Sequence, residues 1–84
     1  MEYSIFTARQ LGQALKGWRK SRNLTQAEAA GRVGLLPKTI SALESDPEPS
    51  TVGSLFKLLS ALELELVVRP KPKGSGGTAS KGEW

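Results

Sequence analysis

The sequence predicts a small all-α domain of four to five helices with one short strand appended after the last. Three observations carry that expectation. Apolar residues recur at helical spacing, start and stop signals bracket the helical stretches, and the period changes from helical to alternating only near residue 63. At 84 residues the chain makes one domain. A domain this small buries a modest share of its surface, so association with a second copy is expected on size alone.

Residues 1–6 form a short extension in which Tyr3 and Ile5 alternate with polar neighbours and supply a candidate strand edge. The main domain is expected over residues 7–62. Thr7 begins the first helix as an N-cap with Gln10 in the reciprocal capping position, and Phe6 can staple onto Leu11. Leu11, Ala14, Leu15 and Trp18 then share one face, and Asn23 is expected to end the helix.

Thr25 and Glu28 repeat the capping box for a second helix, about Gln26 to Val33, which Gly34 stops. Pro37 fits the first turn of a third helix, expected to run to Ser45. There Leu36, Ile40 and Leu43 make an inward stripe, while Lys38, Ser41, Ala42 and Ser45 fall on the opposite side. Two short helices joined by a glycine-containing turn, the second with a small polar and cationic outer face, form the helix-turn-helix arrangement. Its second helix enters the DNA major groove.

Asp46-Pro-Glu-Pro-Ser50 is a breaker cluster, and Ser50 or Thr51 caps a fourth helix whose core stripe reads Val52, Leu55, Phe56, Leu59 and Leu62. Leu58 and Ala61 fall outside that stripe. They mark either a two-fold dimer interface or simply a wider buried face within one chain. Residues 63–69 alternate, with Leu64, Leu66 and Val68 on one side, and read as a strand ending at Arg69-Pro70. A lone strand needs a ladder partner: the N-terminal tract, its own copy, or another protein. Residues 70–84 are rich in Gly, Pro and Lys and are expected to form a flexible tail, with Trp84 at its end either a docking anchor or incidental.

Composition narrows the function. The chain contains neither cysteine nor histidine, which removes the commonest metal ligands and the commonest general base. No nucleophile with its base, paired-carboxylate site, phosphate loop or metal cluster can be assembled, so no catalytic residue, metal, cofactor or small-molecule substrate is expected. Neither a membrane span nor a secretion signal is apparent, which makes the cytoplasm the expected location. The net charge of +4 permits nucleic-acid binding without requiring it. More informative is the crowding of Lys16, Arg19, Lys20 and Arg22 at the end of the first helix.

The run L-T-Q-x-E-x-A-x-x-x-G followed by T-I-S-x-L-E resembles the lambda repressor and Cro type of helix-turn-helix domain, the XRE family, over roughly Leu11 to Leu62. The short leading tract, the L-E-L-x-L run and the Glu83-Trp84 ending are similar to HipB-type antitoxins. Those are DNA-binding partners of HipA-like serine/threonine kinase toxins. The resemblance implies a lambda-repressor-like fold and a homodimer whose strands pair across the two-fold axis. It also implies repression of the chain's own promoter through an inverted-repeat operator in double-stranded DNA. Gln26 and Thr39 carry over as phosphate contacts and Lys38 and Ser41 as candidate base readers, with Lys16, Lys20 and Arg22 adding general attraction. Arg19 and Glu44 carry over as a structural ion pair, and Trp84 as the residue that enters a pocket on the toxin. Leu36 and Pro37 depart from the pattern, standing where polar side chains are common. Sparse direct readout follows, with DNA shape carrying more of the specificity. Two other functions remain open: a protein-interaction adaptor built on the same scaffold, and a stand-alone phage-type repressor.

Overall fold

The computed structural model describes residues 3–72. Four helices follow one another: α1 (Ala8–Ser21), α2 (Gln26–Val33), α3 (Pro37–Ser45) and α4 (Val52–Ala61). The boundaries follow from local chemistry. Thr7 Oγ1 accepts from the Gln10 N–H at 3.1 Å while Gln10 Oε1 accepts from the Thr7 N–H at 3.2 Å. Thr25 and Glu28 make the same reciprocal pair, at 3.0 and 2.8 Å. Each box satisfies two amides that no helix can satisfy for itself, and losing such a cap costs about 1 kcal/mol. Thr51 caps α4 by accepting from the Ser54 N–H at 3.0 Å.

Helix ends are equally specific. After α1, Asn23 takes a left-handed φ of 57°, and its N–H and that of Leu24 reach back to the carbonyls of Lys20 and Arg19. That is a Schellman motif. The same motif closes α4, where Glu63 holds φ 59° and the Glu63 and Leu64 amides donate to Ser60 and Leu59. Gly34 ends α2 at φ 72°, a conformation open to it because it lacks a Cβ.

Helix α3 lies at the centre, packed against α1, α2 and α4, and α2 also packs on α4. Leu15, Ala29, Ala30, Ile40, Leu43, Leu58, Leu59 and Leu62 make the core. The small Ala29 and Ala30, both fully buried, let α2 lie close to its neighbours. One approach is closer still: a Cβ on Gly12 would collide with the Glu44 carbonyl oxygen and lie 3.0 Å from its carbonyl carbon. Backbone touches backbone where α1 crosses α3, and only glycine permits it.

Three expectations are corrected by this packing. Leu58 and Ala61, expected as dimerisation residues, are buried inside the single chain, Leu58 at 0 % exposure. The wider inward face is the correct alternative. Val52 and Phe56, expected in the core, are instead 67 % and 49 % exposed, because α4 is rotated so that Leu55, Leu58, Leu59 and Leu62 face inward. Leu36, expected on the inward stripe of α3, is 59 % exposed. Among the described residues no strand forms: Glu63 belongs to the turn after α4, and residues 64–72 and 3–6 have no regular secondary structure. A single strand cannot close a ladder by itself. Trp84 lies outside the described residues.

Candidate nucleic-acid interface

Orientation of α3 is fixed by one buried polar network. Arg19, from α1, donates through Nε to Glu44 Oε2 at 2.6 Å and through Nη2 to Oε1 at 3.1 Å, the two-pronged geometry of a guanidinium on a carboxylate. Its Nη1 donates to the Leu24 carbonyl at 2.7 Å, which ties in the loop before α2. Gln26, at the start of α2, gives its amide Nε2–H to Glu44 Oε1 at 3.1 Å. One carboxylate therefore holds all three helices, and both charged side chains are almost wholly buried. Among the described residues no buried side-chain polar atom lacks a partner. Hydrogen bonding to Glu44 raises the Arg19 guanidinium above its ordinary pKa, against the opposing effect of burial, so this guanidinium stays charged through the accessible pH range.

Nothing in the sequence signals the Gln26 bond, since residues 18 positions apart share no local pattern. It changes the role of that side chain. An amide has two N–H donors and an acceptor, so one bond to Glu44 orients Gln26 without exhausting it.

Anchored this way, α3 turns Ile40, Leu43 and Glu44 inward and leaves Lys38 and Ala42 exposed, with Thr39 and Ser41 half-buried along the rim. Ser41 also accepts at its carbonyl from Ser45 Oγ at 2.6 Å. Lys38 and Ser41, the candidate readers, thus share an accessible edge near the helix N-terminus.

The expected cationic patch divides. Arg19 points into the molecule, and the Arg22 guanidinium sits 5.7 Å from the Trp18 ring centre, with the Glu63 carboxylate 3.6 Å away. Around the α1 axis, at roughly 100° per residue, Arg22 is about 120° from Lys16 and about 160° from Lys20. Lys16 and Lys20 remain together on the exposed flank of α1, and Arg22 belongs to the opposite one.

On that opposite flank lies a second feature. Tyr3, Phe6, Leu11, Trp18, Leu64, Leu66 and Val68 line an open apolar groove of about 760 Å³. Tyr3 meets Trp18 edge-on at 6.2 Å, and Lys71 Nζ stands 5.6 Å from the Phe6 ring, so the two extended segments border the same groove. Leu64 packs against the core, whereas Val68 is 91 % exposed.

Comparison with known proteins follows the same outline. A helix-turn-helix family model matches residues 15–68. Antitoxin HipB of Escherichia coli strain K12 is 36 % identical over 64 residues, 76 % of this chain and 73 % of that protein. This chain belongs to the HipB antitoxin family of helix-turn-helix proteins. Solved HipB structures superpose on this family member closely: HipB in a HipA-HipB-O2-O3 complex and in a HipB-O4 20mer complex each give a TM-score of 0.81 at 32 % identity. Both matches cover 84 % of this chain and all of the other. Among the described residues of this HipB-family chain, no helix is long and apolar enough to cross a membrane.

Proposed function

We propose that this HipB-family chain is the antitoxin of a toxin-antitoxin operon, a homodimeric repressor that binds an inverted-repeat operator at its own promoter and neutralises a HipA-like serine/threonine kinase. The observation that carries this reading is the accessible Lys38–Ser41 edge on a helix pinned from behind by Arg19, Glu44 and Gln26. A reading helix needs both: an outward edge to reach bases and a rigid mount to hold it in register. In this reading Lys38 donates to guanine O6 or N7 and Ser41 touches a neighbouring edge. Gln26, oriented by Glu44, and Thr39 meet phosphate oxygens. Lys16 and Lys20 add general attraction, and Arg22, held over Trp18, adds little.

The dimer forms through the apolar groove, with Leu64, Leu66 and Val68 of each copy covered by the other and residues 64–69, which follow the turn at Glu63, pairing as strands across the two-fold axis. Paired reading helices then meet successive major grooves about 34 to 36 Å apart. The kinase is held through the body of the dimer, through Trp84 at the tail, or both. HipB occurs in a complex with HipA among the structures this chain resembles, which supports that partner. The chain works in the cytoplasm by binding and not by catalysis.

Fluorescence anisotropy with duplex from the chain's own promoter, against a random duplex and across salt concentration, tests the DNA reading. If each protomer neutralises about three phosphates, log affinity falls with log salt at a slope near −5 for the dimer. Equal affinity for both duplexes, or a slope near zero, refutes it. The adaptor alternative rests on the groove and predicts that outcome. A promoter-specific dimer that binds no kinase would point to a stand-alone repressor instead.

A further inference from the structure

The Leu36 side chain neither caps its helix nor lies in the core. It occupies the N-cap of α3, where Ser, Thr, Asn or Asp would accept from a first-turn amide, and it makes no side-chain cap bond. Nor does it bury itself, remaining 59 % exposed. The other large exposed apolar residues belong to residues 3–6, α4 and residues 66–68, and Leu36 takes no part in lining the groove. It stands alone on the helix-turn-helix unit, two residues before Lys38, beside an exposed Pro37 and one face away from an exposed Ala42.

That position is the leading end of the helix proposed to read DNA, where side chains reach base edges. The floor of the major groove offers one apolar feature, the C5-methyl of thymine. We propose that Leu36 is a specificity-determining residue that packs on a thymine methyl group in each half-site, giving this chain an apolar contact two residues before the exposed cation Lys38. The inference rests on the DNA-binding reading above and adds to it the base and the atom recognised. Lys38 then supplies attraction and guanine recognition, while Leu36 discriminates thymine from cytosine by touching the methyl.

Removing the methyl alone tests this. Duplexes enriched by the full-length chain from a random-sequence pool are resynthesised with deoxyuracil replacing thymine one symmetric pair at a time, which deletes the methyl and leaves every base-pair hydrogen bond intact. Wild-type protein should lose about four- to fifteenfold in affinity at one pair, in keeping with up to about fourfold for each of the two methyl groups removed. Leu36→Ala should bind the thymine duplex that much more weakly and show no further loss with uracil at the same pair. Lys38→Ala should weaken binding overall yet keep the full uracil penalty. Because Leu36 is exposed and caps nothing, its alanine variant should unfold at the wild-type midpoint, so lost binding cannot be blamed on folding. A uracil penalty that survives unchanged in Leu36→Ala, or no penalty at any pair in wild-type, overturns the inference while leaving DNA binding intact. Failure of the wild-type chain to enrich any sequence overturns the DNA reading itself, and this inference with it.

Discussion

The two faces of this molecule are built to different degrees of completion. Around Glu44, three helices meet on a carboxylate whose bonds come from Arg19 and Gln26, the backbones of α1 and α3 touch at Gly12, and both neighbouring helix starts carry full capping boxes. Around Trp18, by contrast, an open apolar groove borders two segments without regular secondary structure, and Leu66, Val67 and Val68 face outward. One face is finished within a single chain. The other has the chemistry of an interior and, among the described residues, stays open. The contrast teaches that the mount for α3 does not depend on a second copy, whereas in the proposed dimer a second copy covers Leu66 and Val68.

Breaking the finished side should cost most. Glu44→Ala leaves the Arg19 guanidinium buried without its partner, which should destabilise by about 3–5 kcal/mol in urea unfolding; a loss under about 1 kcal/mol would mean the site floods with water and holds nothing. The pH dependence should be flat near neutrality as far as Arg19 is concerned. Its folded pKa is raised, so its contribution is complete below the ordinary guanidinium pKa and lost only as pH climbs through the folded value, in strong alkali.

Next in size is Gly12→Ala, which forces α1 away from the Glu44 carbonyl. An overpacking cost of about 1–3 kcal/mol is expected, with weaker operator binding because α3 moves. Unchanged stability would show that the two backbones have slack. On the unfinished side, Leu66→Asp should alter intrinsic stability by no more than about 0.5 kcal/mol, since the residue is exposed in the single chain. Sedimentation velocity should nevertheless show monomer where wild-type shows dimer, and persistence of the dimer would place the interface elsewhere.

The smallest effect separates the flanks of α1. Lys16→Ala should reduce the magnitude of the salt slope by about one for each phosphate that is no longer neutralised, about two for the dimer, whereas Arg22→Ala should leave it unaltered. Equal effects would restore the single cationic patch that the sequence suggests.

Legibility from sequence divides along the same lines. Helix limits are readable because Thr7, Thr25, Pro37 and Gly34 act on amides and dihedrals within a few residues of themselves. The rotation of α4 is not. Val52, Leu55, Phe56, Leu59 and Leu62 make a plausible stripe, and so do Leu55, Leu58, Leu59 and Leu62; only α2 and α3, lying against the second set, decide between them. The Arg19–Glu44 pair is visible through family resemblance, whereas the bond from Gln26 to Glu44 is visible through nothing in the sequence, because its partners lie 18 residues apart. The alternation in residues 64–68 shows as a pattern, yet a pattern of period two names no partner, and within one chain these residues form no ladder.

The separation of mount from outward edge on α3 has an evolutionary consequence. Ile40, Leu43 and Glu44 carry the structural duties of that helix, while Leu36, Lys38 and Ala42 touch solvent. Substitutions at those outward positions can accumulate without unfolding the domain, so related chains are free to diverge toward different target sites on one unchanging chassis, and paralogues in the same cell can avoid cross-talk by altering a few surface atoms.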